Sequence, residues 1–226
     1  MPKWNSPIIV ARRRVLQGTA VVSAAILVPS LAAKSQDSLK VMPVMDELTA
    51  DEILTLLKLE PNATCGFVRL TFVSKLSIAA GGLPASFADG RPLGSALYFM
   101  VTPGAPVRLH RIRNEQLYHY YLGDPLEVFL LHADGTTERI IVGPDLRSGH
   151  LVQLLIPGNT FHTARLIGRR HWFLGASTEW PGVVPAEDVE IGNLEELAGK
   201  YPSVAADLRA IAASVQHVVP SGVGPR

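Results

Sequence analysis

The chain has 226 residues, of which 18% are charged, and its 19 glycines and 17 prolines interrupt it at short intervals. This length suits one domain with a sizeable core, and the composition favours short strands and turns over long helices. A single cysteine, Cys65, excludes an intramolecular disulfide framework and a cysteine-based zinc cluster.

Residues 1–33 have the layout of a cleavable signal peptide, with four basic and no acidic residues and an apolar stretch over residues 15–28. Arg13 and Arg14, followed by Val15, Leu16 and Gln17, resemble a twin-arginine export signal. We therefore expect a periplasmic or secreted bacterial protein, with residues 34–46 as a tether and no stable membrane anchor after cleavage. The alternative is an uncleaved N-terminal anchor helix. The rest of the chain has 17 basic and 20 acidic residues, a balance that argues against a nucleic-acid partner.

A folded domain is predicted over residues 47–215, followed by a flexible tail at residues 216–226. Thr49 and Glu52 have the spacing of a capping box and begin a short helix that ends before Pro61. One or two further helices are predicted around Pro202, over residues 194–213. Apolar runs separated by turn signals predict eight or nine short strands, at residues 67–73, 95–101, 107–112, 116–122, 126–132, 137–142, 151–156, 163–167 and 171–177. This succession favours an all-β sandwich or barrel.

Residues 102–124 concentrate polar side chains between two turns. Side chains alternate between the faces of a strand, so Arg108 and His110 share a face, and beyond the turn at residues 113 and 114 Glu115 and His119 share a face. If both faces point inward, these four side chains converge on a ligand pocket. The outward alternates are then Gln116, Tyr118 and Tyr120.

An arginine inside a barrel needs an anion, because burying an unpaired charge is costly. Either Glu115 pairs with Arg108, or Arg108 is free for an anionic ligand, or it is exposed. Arg69 and Tyr98 lie on strands predicted to line the same cavity, where the Tyr98 ring offers a stacking surface with a polar tip.

Two motifs resemble those of the cupin superfamily. The first is formed by Arg108-Leu109-His110, Glu115 and Gly123, and the second by Pro157-Gly158-Asn159-Thr160-Phe161-His162. An arginine stands where the first histidine of the superfamily motif is usual. The resemblance implies a double-stranded β-helix, the jelly-roll barrel of cupins.

Further stretches resemble the Cupin_5 family, formerly a domain of unknown function, over about residues 48–205. They are Gly66-Phe67-Val68-Arg69, Ala96-Leu97-Tyr98-Phe99, Leu109-His110-Arg111, Gly123-Asp124-Pro125-Leu126 and Pro181-Gly182. A polar run of the family is replaced here by residues 62–72, NATCGFVRLTF, which lack its histidine, two of its acids and two of its tyrosines. The resemblance therefore implies the fold more directly than an activity.

Three functions remain open at this point, and whether the chain is an enzyme is one of the open questions. One is binding of a small polar or anionic ligand, with sugar or nucleotide-sugar isomerase- or epimerase-like proton transfer by His110 or His119. Another is a metal-dependent oxygenase or lyase that holds iron, manganese or zinc through His110, Glu115 and His162. The third is a non-catalytic binding module.

A homodimer is expected through the edge strand at residues 67–73. The predicted ligand-binding residues are Arg69, Tyr98, Arg108, Tyr121 and His162.

Overall fold

The computed structural model of the chain describes residues 48–87 and 89–215. The predicted signal peptide (1–33), tether (34–46) and C-terminal tail (216–226) lie outside the described residues. Within the described ranges, no helix has both the length and the apolar character that crossing a membrane requires.

The described residues form four α-helices and thirteen β-strands. The helices are α1 (Ala50–Leu57), α2 (Pro185–Asp188), α3 (Leu194–Lys200) and α4 (Ala205–Ser214). The strands are β1 (Glu60–Pro61), β2 (Phe67–Val73), β3 (Ser77–Ile78), β4 (Arg91–Pro92), β5 (Ser95–Val101), β6 (Val107–Ile112), β7 (Glu115–Gly123), β8 (Leu126–Leu131), β9 (Thr137–Val142), β10 (Gln153–Ile156), β11 (Phe161–Leu166), β12 (Phe173–Trp180) and β13 (Val189–Ile191). The nine strands of four or more residues correspond to the nine predicted ranges, with ends that differ by three residues or fewer.

Two antiparallel sheets face each other. Sheet A has the strand order β1-β2-β5-β12-β7-β10, and sheet B has the order β13-β6-β11-β8-β9. Isolated bridges join the sheets near their edges, between Cys65 and Val107 on one side and between Val142 and Leu151 on the other. The predicted all-β jelly roll is confirmed, and its sheets form a sandwich rather than a continuously hydrogen-bonded barrel.

The core lies between the two sheets. Strand β8 is buried at every position, including Glu127, whose carboxylate accepts from Arg165 at 2.8 Å. Large side chains from both sheets fill the interior with almost no solvent exposure, and they include Phe99, Tyr118, Leu126, Val128, Ile156 and Phe173. Polar side chains placed on these inner faces are therefore enclosed, and each needs a hydrogen-bond partner.

Helix α1 covers part of the outer face of sheet A. The predicted capping box is present, since the Thr49 hydroxyl accepts from the Glu52 amide and the Glu52 carboxylate accepts from the Thr49 amide. Ile53 is buried against Met100 and Leu174 of the sheet. The outer face of sheet B is covered by α3 and α4, which bury Phe129 and Leu131 among their own apolar side chains.

Candidate functional site

Two histidines face each other inside the sandwich. His110 of β6 and His162 of β11 are cross-strand neighbours, their ring centroids lie 4.3 Å apart, and their exposed fractions are 1% and 0%. Nδ1 of His110 lies 2.7 Å from the Arg108 carbonyl, and Nδ1 of His162 lies 3.2 Å from the Thr160 carbonyl. Because a carbonyl only accepts, Nδ1 carries the proton in both rings and Nε2 is left as an acceptor.

A tyrosine of the opposite sheet supplies the donor for one of these acceptors. The Tyr118 hydroxyl lies 3.1 Å from His162 Nε2 and donates to it. Cys65 Sγ lies 3.9 Å from the same hydroxyl, which places the thiol as donor to the phenol oxygen. The hydrogen bonds thus run from the Cys65 thiol through the Tyr118 hydroxyl to Nε2 of His162. No described residue donates to Nε2 of His110.

A buried carboxyl group lies near the same end of the sandwich, on β12. Glu179 accepts from the Ser95 hydroxyl at 2.6 Å and from the Ser177 hydroxyl at 2.5 Å. Its cross-strand neighbour on β7 is Gln116, whose Oε1 atom is enclosed and has no hydrogen-bond partner among the described residues. Buried polar atoms are normally satisfied, so Gln116 Oε1 is an acceptor that calls for a donor, as is the enclosed Oδ1 of Asn114 in the turn before β7.

Burial sets the protonation of this cluster. Desolvation lowers the pKa of His110 to about 4, and desolvation together with the nearby His110 ring lowers the pKa of His162 well below its ordinary value. Both rings are therefore uncharged at neutral pH. Burial also raises the pKa of the Cys65 thiol to about 11 and the pKa of Tyr118 well above 10. Burial raises the pKa of Glu179 as well, against the lowering effect of its two serine donors.

The predicted convergence of Arg108, His110, Glu115 and His119 is wrong for three of the four residues. Glu115 is exposed, whereas its neighbour Gln116 is buried. His119 lies on the outer face of β7, because the inner positions of this strand are those of Gln116 and Tyr118. The turn after β6 carries the chain from sheet B to sheet A, so the alternation along β6 does not continue into β7.

Arg108 points away from the interior because β6 is irregular at this position. The pairing of β6 with β11 shifts by one residue between His110 and Val107, which places both of these residues on the buried side. Arg108 is exposed, and its Nη1 donates to the Ala63 carbonyl at 3.2 Å. The arginine at the first cupin position therefore contributes no charge to the interior.

The residues present do not fit the predicted metal centre. His110 and His162 are adjacent, but Nε2 of His162 already accepts from Tyr118, and Glu115 is exposed at the start of β7. Within the part of the chain that the structure describes, no three histidine, cysteine, aspartate or glutamate side chains are grouped to hold a metal ion. The set of His110, Glu115 and His162 is therefore not assembled.

Three other predicted site residues come together on the outer face of sheet A. Arg69, Tyr98 and His119 occupy one row across the sheet, in register through β2, β5, β12 and β7. Tyr121 lies beside this row, with its ring 6.1 Å from that of Tyr98 and 6.5 Å from that of His119. This row lies on the face of the sheet opposite to the core and is separate from the histidine pair.

Both ring nitrogens of His119 are engaged on this face. The Gln153 amide donates to Nδ1 at 3.0 Å, so Nε2 carries the proton and donates to the Thr178 hydroxyl at 2.9 Å. Burial lowers the pKa of His119. A histidine held at both nitrogens in this way has no free lone pair for proton transfer.

Sequence reasoning missed five residues of the interior cluster. They are Ser95, Gln116, Tyr118, Ser177 and Glu179. The alternation along β7 did identify Gln116 and Tyr118 as a pair on one face, but that face was assigned to the outside. Glu179 gave no local signal, because its burial depends on β12 lying between β5 and β7.

The comparisons with known proteins agree with this architecture. A family model named Cupin_5 and described as cupin superfamily (DUF985) matches residues 51–190. A hypothetical protein from Leishmania major is similar in structure, with a TM-score of 0.64 and 22% identity over 75% of this chain and 100% of that chain. The crystal structure of a protein from Shewanella oneidensis is similar with a TM-score of 0.63 and 22% identity, over 73% of this chain and 97% of that chain.

A more distant similarity, with a TM-score of 0.41 and 18% identity, relates 68% of this chain to 83% of a cupin-2 domain from Rhodospirillum rubrum. Among curated proteins no match is found. At these identities the solved structures show the fold alone.

Proposed function

The chain belongs to the Cupin_5 family of the cupin superfamily, and we propose that it is a binding protein for a small, uncharged, hydroxyl-rich molecule held at the inner histidine pair. The observation that carries this proposal is the enclosed Oε1 atom of Gln116, which has no donor among the described residues. Nε2 of His110, to which no described residue donates, is a second acceptor facing the interior. Hydroxyl groups of a sugar or polyol supply the donors that both atoms require.

The charges of the interior support an uncharged ligand. The predicted anion-binding residue, Arg108, lies outside, both histidines are uncharged at neutral pH, and Glu179 is the buried acid of the cluster. An anion placed here would meet no positive charge from the described residues of the cluster, and its desolvation would be uncompensated.

Binding is favoured over proton transfer. A general base works best with a pKa near the operating pH, and burial holds the pKa of His110 at about 4. His119, the other predicted acid or base, has both nitrogens engaged on the outer face. Export remains part of the proposal and rests on Arg13 and Arg14 in the sequence.

The approach to the interior lies along β2. Leu70 and Val73 pair with Leu97 and Ser95 on the inner face of sheet A, yet they are 60% and 43% exposed. Solvent therefore reaches the inner face at this strand, on the side where Ser95 contacts Glu179.

The proposal is tested by calorimetry and thermal-shift titration with free pentoses and hexoses, and with their phosphates. We expect binding of one or more free sugars, weaker binding of the matched phosphate, and about a tenfold loss of affinity in Gln116→Leu, because one hydrogen bond to the ligand is removed. Gln153→Leu, on the outer face, is the matched control and should retain the affinity. A flat response to every free sugar, or equal affinity in both variants, would contradict the proposal.

We also propose that the chain forms a homodimer through the free part of β2. Strand β1 pairs only with Phe67 and Val68, and no other described strand pairs with this edge of β2, so the remainder of the edge is open among the described residues. Leu70 and Phe72 on this edge are 60% and 55% exposed, and an exposed apolar edge strand readily pairs with another strand.

Sedimentation velocity checks the dimer. The wild-type chain should show a concentration-dependent dimer, and Phe72→Lys should shift it to monomer, because a lysine on an edge strand opposes pairing. Val152→Lys changes an exposed apolar residue just before β10, at the opposite edge of sheet A, and should leave the dimer intact. A wild-type chain that is monomeric at all concentrations, or a dimeric Phe72→Lys variant, would exclude this interface.

A further inference from the structure

A cavity lies on the outer face of sheet B, beneath helix α4. It has a volume of about 230 Å³ and is lined by residues from β6, β11, β13 and α4. Its walls are mainly apolar, and the buried side chains of Leu208 and Ile211 form part of them. Arg108 is the one charged residue among the described residues that line it.

Arg108 is available to a ligand at this cavity. The irregularity of β6 that removes Arg108 from the interior directs it to this outer face. One N–H of its guanidinium donates to the Ala63 carbonyl, and no carboxylate of the described residues forms an ion pair with it. A guanidinium has five N–H donors in a planar fork that matches a carboxylate, so most of its donors remain for a ligand.

The cavity thus combines one cation with aliphatic walls. We propose that it binds a short-chain aliphatic carboxylate, with the carboxylate on Arg108 and the hydrocarbon chain against Leu208 and Ile211. The volume lies below the range of about 300–1,000 Å³ that is usual for drug-sized ligands, which favours a chain as short as that of hexanoate. The site is separate from the histidine pair, so either proposal can fail without the other.

Calorimetry with hexanoate on the full chain tests this site, with hexanol and hexylammonium as probes of the same chain length. We expect hexanoate to bind more tightly than hexanol, and hexylammonium not to bind. Arg108→Gln should weaken hexanoate binding by about 10- to 100-fold, the usual loss for a hydrogen bond to a charged group. Arg147→Gln, at an exposed arginine far along the chain from the cavity, is the matched control.

A second pair of variants tests the apolar part without touching Arg108. Ala212 lines the cavity and is exposed, so Ala212→Trp should fill the space and abolish hexanoate binding, whereas Ala213→Trp, which is exposed on α4 but does not line the cavity, should not. Equal affinity for hexanol and hexanoate, or unchanged binding in Arg108→Gln, would overturn the proposal. The proposal would also be overturned if the wild-type chain did not bind hexanoate and Ala212→Trp changed the oligomeric state. That result would assign the cavity to an interface between copies of the chain.

Discussion

Acidification from pH 7 to pH 4 is expected to lower the free energy of unfolding by about 3 kcal/mol through His110 alone. The pKa of His110 falls from its ordinary 6.5 to about 4 on folding, because burial penalises the charged ring. Between these two values the unfolded chain binds a proton that the folded chain does not. The contribution is therefore fully present above pH 6.5 and is lost as the pH falls towards 4.

Two neighbours modify this loss in opposite senses. The pKa of His162 is lowered well below 6.5 by burial and by His110, so its contribution is also lost on acidification. The pKa of Glu179 is raised by burial above its ordinary 4.5. As the pH falls, this residue therefore binds a proton in the folded chain before it does so in the unfolded chain, which stabilises the folded state as the pH falls towards 4.5.

Urea unfolding at a series of pH values between 7 and 4 measures these effects. In His110→Leu the free energy of unfolding should fall less steeply with acidification than in wild type, by about 1.4 kcal/mol per pH unit within this range. In Glu179→Gln it should fall more steeply than in wild type. His171→Asn is the control, because His171 is exposed, has φ +66° and tolerates asparagine in that conformation. A pH dependence that is the same in His110→Leu and wild type would contradict the assignment of an uncharged, enclosed His110.

Replacement of Arg91 by methionine is expected to cost about 3–5 kcal/mol of stability, because the buried Asp188 carboxylate loses its hydrogen-bonded partner and keeps Arg113, 4.0 Å away, as its remaining cationic partner among the described residues. Arg91 of β4 binds Asp188 through Nε at 3.0 Å and Nη2 at 2.8 Å, and the side chains are 2% and 0% exposed. Asp188 also accepts from the Val184 amide at 2.8 Å. The Arg91–Asp188 ion pair links β4 to the end of α2, which precedes the edge strand β13 of sheet B.

The matched control is an ion pair at the surface. Arg111 and Glu190 lie 2.6 Å apart with side chains 36% and 54% exposed, so Arg111→Met should cost about 1 kcal/mol or less. Adding Asp188→Leu to Arg91→Met should restore part of the loss, since no unpaired charge then remains inside. Urea unfolding at pH 7 distinguishes the cases, and a loss in Arg91→Met no larger than in Arg111→Met would refute the structural role of the buried pair.

Local patterns in the sequence were sufficient to predict the helices and strands. The capping box of Thr49 and Glu52, the apolar run of β5 and the turn residues between strands each depend on a few neighbouring residues, and each is present in the structure. The two cupin-like motifs also placed His110 and His162 correctly as partners, because the motif positions correspond to cross-strand neighbours.

The inward or outward direction of the polar side chains was decided by tertiary structure. On β6 a one-residue shift in pairing with β11 turned Arg108 outward, and on β7 the change of sheet after the turn put Tyr118 inside and His119 outside. A slip of one residue reverses every side chain of a strand, and nothing in the alternation itself states which face meets the core.

The sequence by itself determined an all-β fold with a capped helix before the strands and helices after them, and its cupin resemblance indicated a jelly roll with a histidine from each of two motifs. Only the tertiary structure brought Tyr118 to His162 and Gln116 beside Glu179, since these side chains come from strands paired across long separations in the chain. Local propensity acts over a few residues, whereas the enclosure of a polar group depends on which distant strands pack over it. The predicted arginine-lined anion pocket is therefore replaced by a buried polar cluster without a positive charge, whereas the predicted fold is confirmed.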